Sequence, residues 1–176
     1  MLSDRFTVRR AVPGEEQGLA LLGSATFLES YAGFLAAEDI VAHCAAEHSA
    51  AVYARYLAAP RARVYAAAAE PGNALIGYAV ACPLEFSLPD ATPADYELRR
   101  IYVLHRYQGK GAGQALLKQV IAAARELGYG RLLLGVNEGN TAAIRFYTQQ
   151  GFTRVGGRSF QVGRQNCHDD VLALAL

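Results

Sequence analysis

The chain has 176 residues, 52% of them hydrophobic and 19% charged, so it is long enough to bury a full core, and we expect one domain spanning residues 1–176. A formal net charge of +1 gives no general electrostatic reason to bind DNA, RNA or a membrane surface. The cysteines Cys44, Cys82 and Cys167 are too far apart for a CxxC pair or a Cys/His metal site, which predicts ordinary thiols and no metal. The N-terminus lacks the apolar core of a signal peptide, and no segment is apolar enough to span a bilayer, so we expect a cytoplasmic protein of bacterial type.

The first half of the chain predicts a strand, two helices and a hairpin. The alternation in RFTVRR predicts a short strand. PGEEQGLALLGSATFLESY predicts a helix, and AAEDIVAHCAAEHSAAVYARYLAAP predicts a single alanine-rich helix that Pro60 ends. The inner face of the first helix consists of Leu19, Leu22, Phe27 and Tyr31. ARVYAAAAE and ALIGYAVACPL, joined by the turn EPGN, predict an antiparallel hairpin.

The second half continues with a surface loop, PLEFSLPDATPAD, and a third strand, YELRRIYVL. Neither face of this strand is cleanly apolar, which fits a central strand with a bulge or a functional edge. AGQALLKQVIAAARELG predicts a strong helix that Gly128 ends, and RLLLGV predicts a buried parallel strand. The apolar stripe of the helix consists of Leu116, Leu117, Val120, Ile121, Ala124 and Leu127.

The last elements are a short helix, NTAAIRFYTQQ, which Asn140 caps and Gly151 ends, and a closing strand pair in FTRVGGRSFQVG and DDVLALAL. The predicted fold class is therefore α/β (α+β). The sheet is mostly antiparallel, and its one parallel junction lies around the glycine-rich helix.

Three glycines, Gly109, Gly111 and Gly113, stand at every second position before the strong helix. A helix N-terminus presents unpaired N–H groups and the positive end of a dipole, and glycines let an anion approach the backbone closely. The pattern predicts a phosphate cradle. No Ser or Thr follows Lys110 as a P-loop requires, and GKGAGQ lacks the third glycine of a dinucleotide fingerprint. On this motif alone, a structural left-handed turn remains the alternative.

The same segment resembles the GNAT superfamily of acyl-CoA-dependent N-acetyltransferases. Gln108, Gly111 and Gly113 match the pattern [QR]xxGx[GA] in order, and GNTAAIRFYTQQGF is similar to the segment N-x-x-A-x-x-F-Y-x-x-x-G-F. The resemblance covers nearly the whole chain and is strongest from Tyr96 to Phe152. It implies the GNAT fold, a mixed and mostly antiparallel central sheet with a splayed parallel strand pair, flanked by about four helices.

A narrower resemblance is to the bacterial PaiA-type branch, which includes polyamine N-acetyltransferases that act on spermidine and spermine. The segments TFLESY, ELRRIYVL, AAIRFYTQQGF, VGGRSFQVG and DDVLALAL carry it. It implies acetyl transfer from acetyl-CoA to a primary amine such as a polyamine. The sequence departs from the branch at Asn137, where a tryptophan often stands, so that wall of the acceptor site is more polar here.

On the donor side, the resemblance implies that backbone N–H groups of the glycine loop bind the pyrophosphate of CoA without a metal. It also implies that the backbone around Ile101 lies along the pantetheine, with the Ile101 N–H polarising the thioester carbonyl. Asn140 caps a helix on pattern alone, and the resemblance adds a contact to the pantetheine. The cofactor-binding set is Ile101, Tyr102, Val103, Gln108, Gly109, Lys110, Gly111, Ala112, Gly113, Gln114 and Asn140.

The resemblance assigns two catalytic residues. Tyr147 matches the tyrosine that protonates the CoA thiolate, and it lies two helical turns after Asn140, so both face the same side. A tyrosine that only packs in the core is the alternative. Glu97, four residues before Ile101, matches the general-base glutamate of the histone-acetylating branch. A carboxylate paired with a neighbouring arginine, or no fixed base at all, are the alternatives for Glu97.

In the branch that modifies ribosomal protein termini, the glutamate lies five residues before the asparagine. Gly135 occupies that place here, which leaves Glu97 favoured as base. The predicted substrate-binding residues are Phe27, Tyr31 and Glu97, with Phe160 as a further candidate, although core packing is the alternative for each aromatic residue. His105 replaces a common proline and is expected to be exposed. Glu29, Glu38, Asp39, Asp90, Glu97 and Glu138 are the acids that could supply negative charge to an amine site, and the sequence does not place them.

Three functions remain open from the sequence. The first is an acetyltransferase for a small-molecule amine, the second a protein or peptide N-acetyltransferase, and the third a non-catalytic acyl-CoA-binding regulatory module. We expect no nucleic-acid or membrane partner. Dimers are common in the superfamily, and the closing strands would form a homodimer interface.

Overall fold

The protein, described by a computed structural model over residues 5–176, contains one seven-stranded sheet. The strand order is β1-β2-β3-β4-β5-β7-β6, and every neighbouring pair is antiparallel except β4 with β5. The mixed, mostly antiparallel sheet is thereby confirmed. The strands are β1 (Phe6–Arg10), β2 (Arg63–Ala69), β3 (Leu75–Pro83), β4 (Asp95–Val103), β5 (Arg131–Asn137), β6 (Thr153–Val162) and β7 (Gln165–Ala175).

Helices cover both faces of the sheet. They are α1 (Glu16–Tyr31), α2 (Ala37–Glu47), α3 (Ala50–Ala58), α4 (Ala112–Glu126) and α5 (Thr141–Gln149), with a 3₁₀ turn at His105–Tyr107. Strand alternation divides the core: Tyr96 and Leu98 pack toward α4, whereas Tyr78 and Val80 pack toward α1 and α3. Much of the predicted stripe of α4 is buried, namely Leu116, Leu117, Val120 and Ala124, while Ile121 and Leu127 are partly buried against the same core.

The prediction of one alanine-rich helix before Pro60 was wrong, because the chain forms α2 and α3 there. Ser49 begins the second helix, and its side chain accepts a hydrogen bond from the backbone N–H of Val52. This cap satisfies an N–H group that the new helix would otherwise leave unpaired. His48, at the break, is 4% exposed, and its Nδ1 lies 2.9 Å from the Tyr53 hydroxyl. The expected set of about four helices is therefore observed with one member divided.

The parallel strands β4 and β5 part after only three residue pairs. Their last pair is Glu97 with Leu133, after which β4 stays paired with β3, and β5 with β7. A bulge in β4 follows at once, because Val80 pairs with Arg100 but Ala81 pairs with Leu98, leaving Arg99 as the extra residue. The predicted bulge and the splayed pair are both confirmed. The result is a gap in the middle of the sheet, bordered by strand backbone.

No helix in residues 5–176 is long and apolar enough to cross a membrane. Within the same residues, no group of three His, Cys, Asp or Glu side chains is arranged to hold a metal ion. Cys82 and Cys167 are buried and Cys44 is partly buried, and all three are free thiols.

Candidate active site

The edge of β4 that faces the gap presents backbone groups to a ligand. The N–H of Leu104 donates to the carbonyl of Ile76 at 2.9 Å, so this N–H points toward β3. Alternation along a strand then directs the N–H groups of Ile101 and Val103 the opposite way, into the gap. The Gln108 side chain donates to the carbonyl of Val103 at 3.0 Å and ties the following loop to this edge. An extended chain lying in the gap would find donors and acceptors at strand spacing.

The glycine loop leads from this edge into α4. Gly109 and Gly111 have φ angles of +72° and +90°, in the left-handed region that favours glycine. A Cβ atom at either position would meet nothing within 4 Å, so the backbone angle, and not lack of space, requires glycine. Gly111 is the N-cap of α4, and no side chain caps that end. The first N–H groups of α4 therefore remain available to an anion such as a pyrophosphate.

Helix α5 lies beside this loop. Asn140 caps it through a hydrogen bond from the Ala143 N–H to Oδ1, at 3.1 Å, which confirms the cap prediction. The helix approaches the start of α4 closely, since a Cβ on Gly113 would lie 3.9 Å from the Phe146 ring. Asn140 and Tyr147 thus come from an element packed against the glycine loop.

Tyr147 is buried, with its ring in edge contact with Phe146 and Phe152. Burial, with a smaller contribution from the Tyr102 phenol, raises the pKa of Tyr147 well above its ordinary value. The hydroxyl therefore keeps its proton at neutral pH and can act only as a proton donor there. The core-packing alternative describes its ring, and a general-acid role would use its hydroxyl, so the two are compatible.

Glu97 lies where β4 and β5 part, and it is 2% exposed. Both of its carboxylate oxygens have donors: the Glu85 N–H lies 3.0 Å from Oε2, and an Arg99 nitrogen lies 3.3 Å from Oε1. Arg99 also pairs with the Glu85 side chain at 3.2 Å. This is the paired-carboxylate arrangement that was the alternative for Glu97. Both donors stabilise the ionised form of Glu97, which makes the carboxylate a weaker base than one without such partners.

The predicted acceptor residues separate into two groups. Phe27 is buried and stacks on Tyr31 and His43, with ring centroids 4.4 and 4.1 Å apart. Tyr31 is partly exposed, and Phe160 is 38% exposed on β6. Phe27 is therefore a core residue that packs against the Tyr31 ring, whereas Tyr31 and Phe160 have surface available to a ligand.

Two charged residues that sequence analysis missed form an ion pair between β6 and β7. Arg158 on β6 and Asp169 on β7 are register partners, and the Arg158 Nε and Nη2 atoms lie 3.1 and 3.0 Å from Asp169 Oδ2. Cys167, on the same face of β7 as Asp169, packs in one cluster with Phe27 and Tyr31, and the Asp169 charge contributes to the raised pKa of Tyr31. Both charges lie outside the segment of strongest resemblance. The adjacent acids in DDVLALAL, in a strand that is otherwise apolar, were the available signal.

The structure places the acids that the sequence named as possible sources of negative charge, and most of them have other partners. Glu29 accepts a hydrogen bond from the His105 N–H at 3.2 Å, which joins α1 to the glycine loop, and His105 is exposed as expected. The remaining acids lie at other places: Glu38 pairs with Arg164, Asp39 lies beside Gly163, Asp90 pairs with Arg131, and Glu138 is exposed.

Comparison with known proteins identifies the family. The sequence profile of the acetyltransferase (GNAT) family matches residues 26–152. The chain belongs to this family of acetyltransferase enzymes. It is 35% identical to an uncharacterized N-acetyltransferase of Mycobacterium tuberculosis over 158 residues, which is 90% of this chain and 96% of the relative. It is also 36% identical to the N-alpha-acetyltransferase RimI of M. tuberculosis over 108 residues, 61% of this chain and 63% of that protein.

The fold has a structural counterpart in the PaiA N-acetyltransferase of Thermoplasma acidophilum, solved in complex with coenzyme A. The TM-score is 0.79, the sequence identity is 18%, and the superposition covers 98% of this chain and 99% of that one. The resemblance to the GNAT superfamily is thus confirmed, as is the fold. At 18% identity, this neighbour supports the fold alone.

Proposed function

We propose that this GNAT enzyme transfers the acetyl group of acetyl-CoA to a primary amine, and that the amine is a polyamine such as spermidine or spermine. The proposal rests mainly on one observation, that the open backbone edge of β4 and the N-terminus of α4 form one continuous surface. The open edge of β4 leads directly to an uncapped helix N-terminus behind two left-handed glycines. The acceptor class comes from the PaiA-type segments of the sequence.

Acetyl-CoA would supply an acetyl group already activated as a thioester. The N–H groups of residues 109–114 would hold its pyrophosphate, because they combine unpaired donors with the positive end of the α4 dipole. The gap-facing N–H groups of Ile101 and Val103 and the carboxamide of Asn140 would hold its extended arm. Gln108 would keep the loop against β4 through its bond to Val103.

Two groups of the chain would then favour the reaction. The Ile101 N–H, fixed by the strand, would donate to the carbonyl oxygen as negative charge develops there. A preorganised donor of this kind contributes about 2.7–4 kcal/mol in well-studied sites. The Tyr147 hydroxyl would give its proton to the departing sulfur, since its high pKa keeps it protonated until that moment.

A free-thiol release assay with acetyl-CoA tests the proposal. The acceptor panel contains spermidine, spermine, putrescine, small monoamines, amino acids, lysine peptides and free N-terminal peptides. Preferential turnover of spermidine or spermine is expected. Turnover of another primary amine alone would keep the chemistry and remove the polyamine. Tight CoA binding with no thiol release from any acceptor would favour the non-catalytic module.

A second candidate is acetylation of a protein N-terminus, which the identity to a RimI enzyme favours. Against it stands Gly135, which occupies the place of the glutamate used by the ribosomal-protein branch, and over which the Arg158 guanidinium lies. Faster turnover of an N-terminal peptide than of spermidine would select this candidate.

We also infer a homodimer through the closing strands. Strand β6 is an edge of the sheet, and it exposes 40% of Val155 and 38% of Phe160. An edge strand with unpaired backbone groups and exposed apolar side chains is suited to pairing with a second copy. Light scattering coupled to gel filtration would measure the mass, and a monomer at micromolar concentration would contradict the inference.

A further inference from the structure

An ion pair between the partly exposed Arg158 and the buried Asp169 occupies the space that the missing side chain of Gly135 leaves open. A Cβ atom on Gly135 would lie 2.5–2.7 Å from three guanidinium atoms of Arg158, closer than real side chains come. Glycine at this position is therefore required for Arg158 to lie flat against β5. The guanidinium is held from two more sides by the rings of Phe86 and Phe160, 4.6 and 5.4 Å from its central carbon. Such enclosure fixes the direction in which Arg158 donates.

Arg158 in turn fixes Asp169. Both of its hydrogen bonds end on the same oxygen, Oδ2, at 3.1 and 3.0 Å. The hydrogen bonds of the described residues thus orient the carboxylate while leaving Oδ1 to receive a further donor. Glu97 differs, because each of its oxygens already has a donor. Of the carboxylates of Glu97 and Asp169, that of Asp169 has an oxygen to which no described residue donates.

Asp169 lies on the far side of the gap between β4 and β5. It pairs in register with Asn137, four residues beyond the point at Leu133 where the two strands part. Its side chain lies on the same face of β7 as that of Cys167, and Cys167 packs in one cluster with Phe27 and Tyr31 of α1. Tyr102 of β4 packs with Tyr78 toward the same helix, so the carboxylate lies on the α1 side of the gap. An amine approaching the gap from the α1 side would meet Tyr31, Tyr102 and Asp169 together.

We propose that Asp169 is the carboxylate that binds the ammonium group of the acceptor and takes its proton, an inference that rests on the proposed amine acetyltransferase function. The ligand class is a protonated primary amine, and Arg158 is a positioning residue that holds the carboxylate.

The electrostatic surroundings suit this role. Burial raises the pKa of Asp169, Arg158 opposes the rise, and the neighbouring Asp170 adds to it. A carboxylate whose pKa moves toward neutral is a better proton acceptor at neutral pH. The groups that face it are Arg158 from β6, Tyr31 from α1, Tyr102 from β4 and Cys167 from its own strand, whereas the side chain of Asp170 points to the opposite face.

The amine, the thioester, Asp169, Tyr147 and solvent water account for every proton and electron pair in the reaction. One proton passes from the ammonium nitrogen to Asp169, and the freed lone pair forms the N–C bond to the acetyl carbonyl carbon. The C–S bond breaks with its electron pair going to sulfur, which takes the hydroxyl proton of Tyr147. The nitrogen returns its surplus proton to the Tyr147 oxygen, and Asp169 releases its proton to water.

Asp169→Asn tests the assignment, because an asparagine keeps the size and still accepts from Arg158 but cannot hold an ammonium proton. Asp170→Asn is the matched control, since Asp170 is the next residue of β7 and pairs with Arg154 on the other face of the strand. The amine used is the best acceptor of the panel, or spermidine if none reacts. We expect Asp169→Asn to lower kcat/KM for the amine about 100-fold or more at neutral pH. Asp170→Asn should stay within about twofold of the wild type, because the Asp170 side chain lies on the face of β7 opposite the proposed amine site.

Two readouts separate this role from a structural one. The first is calorimetric titration of the amine into the CoA-bound protein, in which Asp169→Asn should weaken binding about tenfold by loss of a charge-assisted hydrogen bond. CoA affinity should be unchanged, and Asp169→Glu, which keeps the charge, should restore amine binding. The second is the pH profile of kcat/KM. Its acidic limb, where Asp169 becomes protonated and can no longer accept a proton, should disappear in Asp169→Asn.

The outcomes distinguish the two proposals. Loss of amine binding in Asp169→Asn, with no thiol release even from the wild type, would support Asp169 as the ammonium-binding carboxylate, overturn its role as proton acceptor and reject the proposed function. Full turnover by the wild type, with Asp169→Asn behaving like Asp170→Asn, would reject the inference and keep the function. Absence of amine binding by the wild-type protein would also overturn the inference.

Discussion

The two sides of the gap between β4 and β5 differ in the part of the chain that a ligand meets. On the donor side, the groups are backbone N–H donors of β4 and of the start of α4, supplied within one segment from Ile101 to Gln114. On the acceptor side, the groups are the side chains of Tyr31, Tyr102 and Asp169, which come from α1, β4 and β7, three elements far apart in sequence. A backbone site leaves a compact pattern of glycines, whereas a side-chain site assembled by the fold leaves almost none.

Because the donor and acceptor sides use different groups, substitutions on the two sides should change different measured quantities. Donor-side changes should alter CoA affinity, acceptor-side changes should alter amine affinity and its pH dependence, and only a group that acts between the two should alter the chemical step alone.

Tyr147→Phe should have the largest effect. Removing the hydroxyl removes the proposed proton donor, so kcat should fall about 10²- to 10⁴-fold. CoA affinity should change little, because the aromatic contacts of the ring with Phe146 and Phe152 remain. Steady-state kinetics and CoA titration measure both quantities. Tyr65→Phe is the control, since Tyr65 is a buried tyrosine of the same core on β2. A fully active Tyr147→Phe enzyme would reject the general-acid role.

Gly135→Ala should act on the acceptor side alone. The new methyl group would collide with the Arg158 guanidinium and turn it away from Asp169. We expect kcat/KM for the amine to fall about tenfold, the equivalent of about 1.4 kcal/mol, with unchanged affinity for CoA. A flexible side chain can move at little cost, so the unfolding temperature should change by only a few degrees. Equal losses of amine and CoA affinity would mean that the gap itself had been distorted.

Gly111→Ala should act on the donor side alone. At φ +90° an alanine is strained by about 1–2 kcal/mol, and relief of that strain would turn the N–H groups of the loop. We expect CoA affinity to fall about fivefold. Gly128→Ala is the matched control, because Gly128 has φ +81° and open space around it, at the opposite end of α4. Both variants should lose similar stability. A similar loss of CoA affinity in both would therefore reject the proposal that the glycine loop binds the pyrophosphate of CoA.

The sequence predicted the backbone groups of the donor side better than the side chains of the acceptor side. Hydrophobic periodicity predicted the order of the elements, and unpaired polarity in YELRRIYVL predicted the bulge at Arg99. Periodicity failed at Ser49, where an alanine-rich pattern continued through a turn and one hydroxyl began a new helix. In the site, the backbone positions and Asn140 followed from local motifs. Arg158 and Asp169 did not, because their pairing depends on the register of β6 with β7 and on a glycine in a third strand.

Asn140 is assigned two roles, capping α5 and binding CoA, and substitutions of this one side chain can separate them. Its Oδ1 caps α5 through the Ala143 N–H, and loss of such a cap costs about 1 kcal/mol. Asn140→Ala should lower the unfolding temperature and CoA affinity together. Asn140→Ser should restore the stability, because serine is also a good cap, but it lacks the amide N–H₂ and should leave CoA affinity a few-fold weaker. Thermal unfolding and CoA titration of both variants separate the two roles. If serine restores CoA affinity along with stability, Asn140 only begins the helix, and the donor site on α5 is reduced to Tyr147.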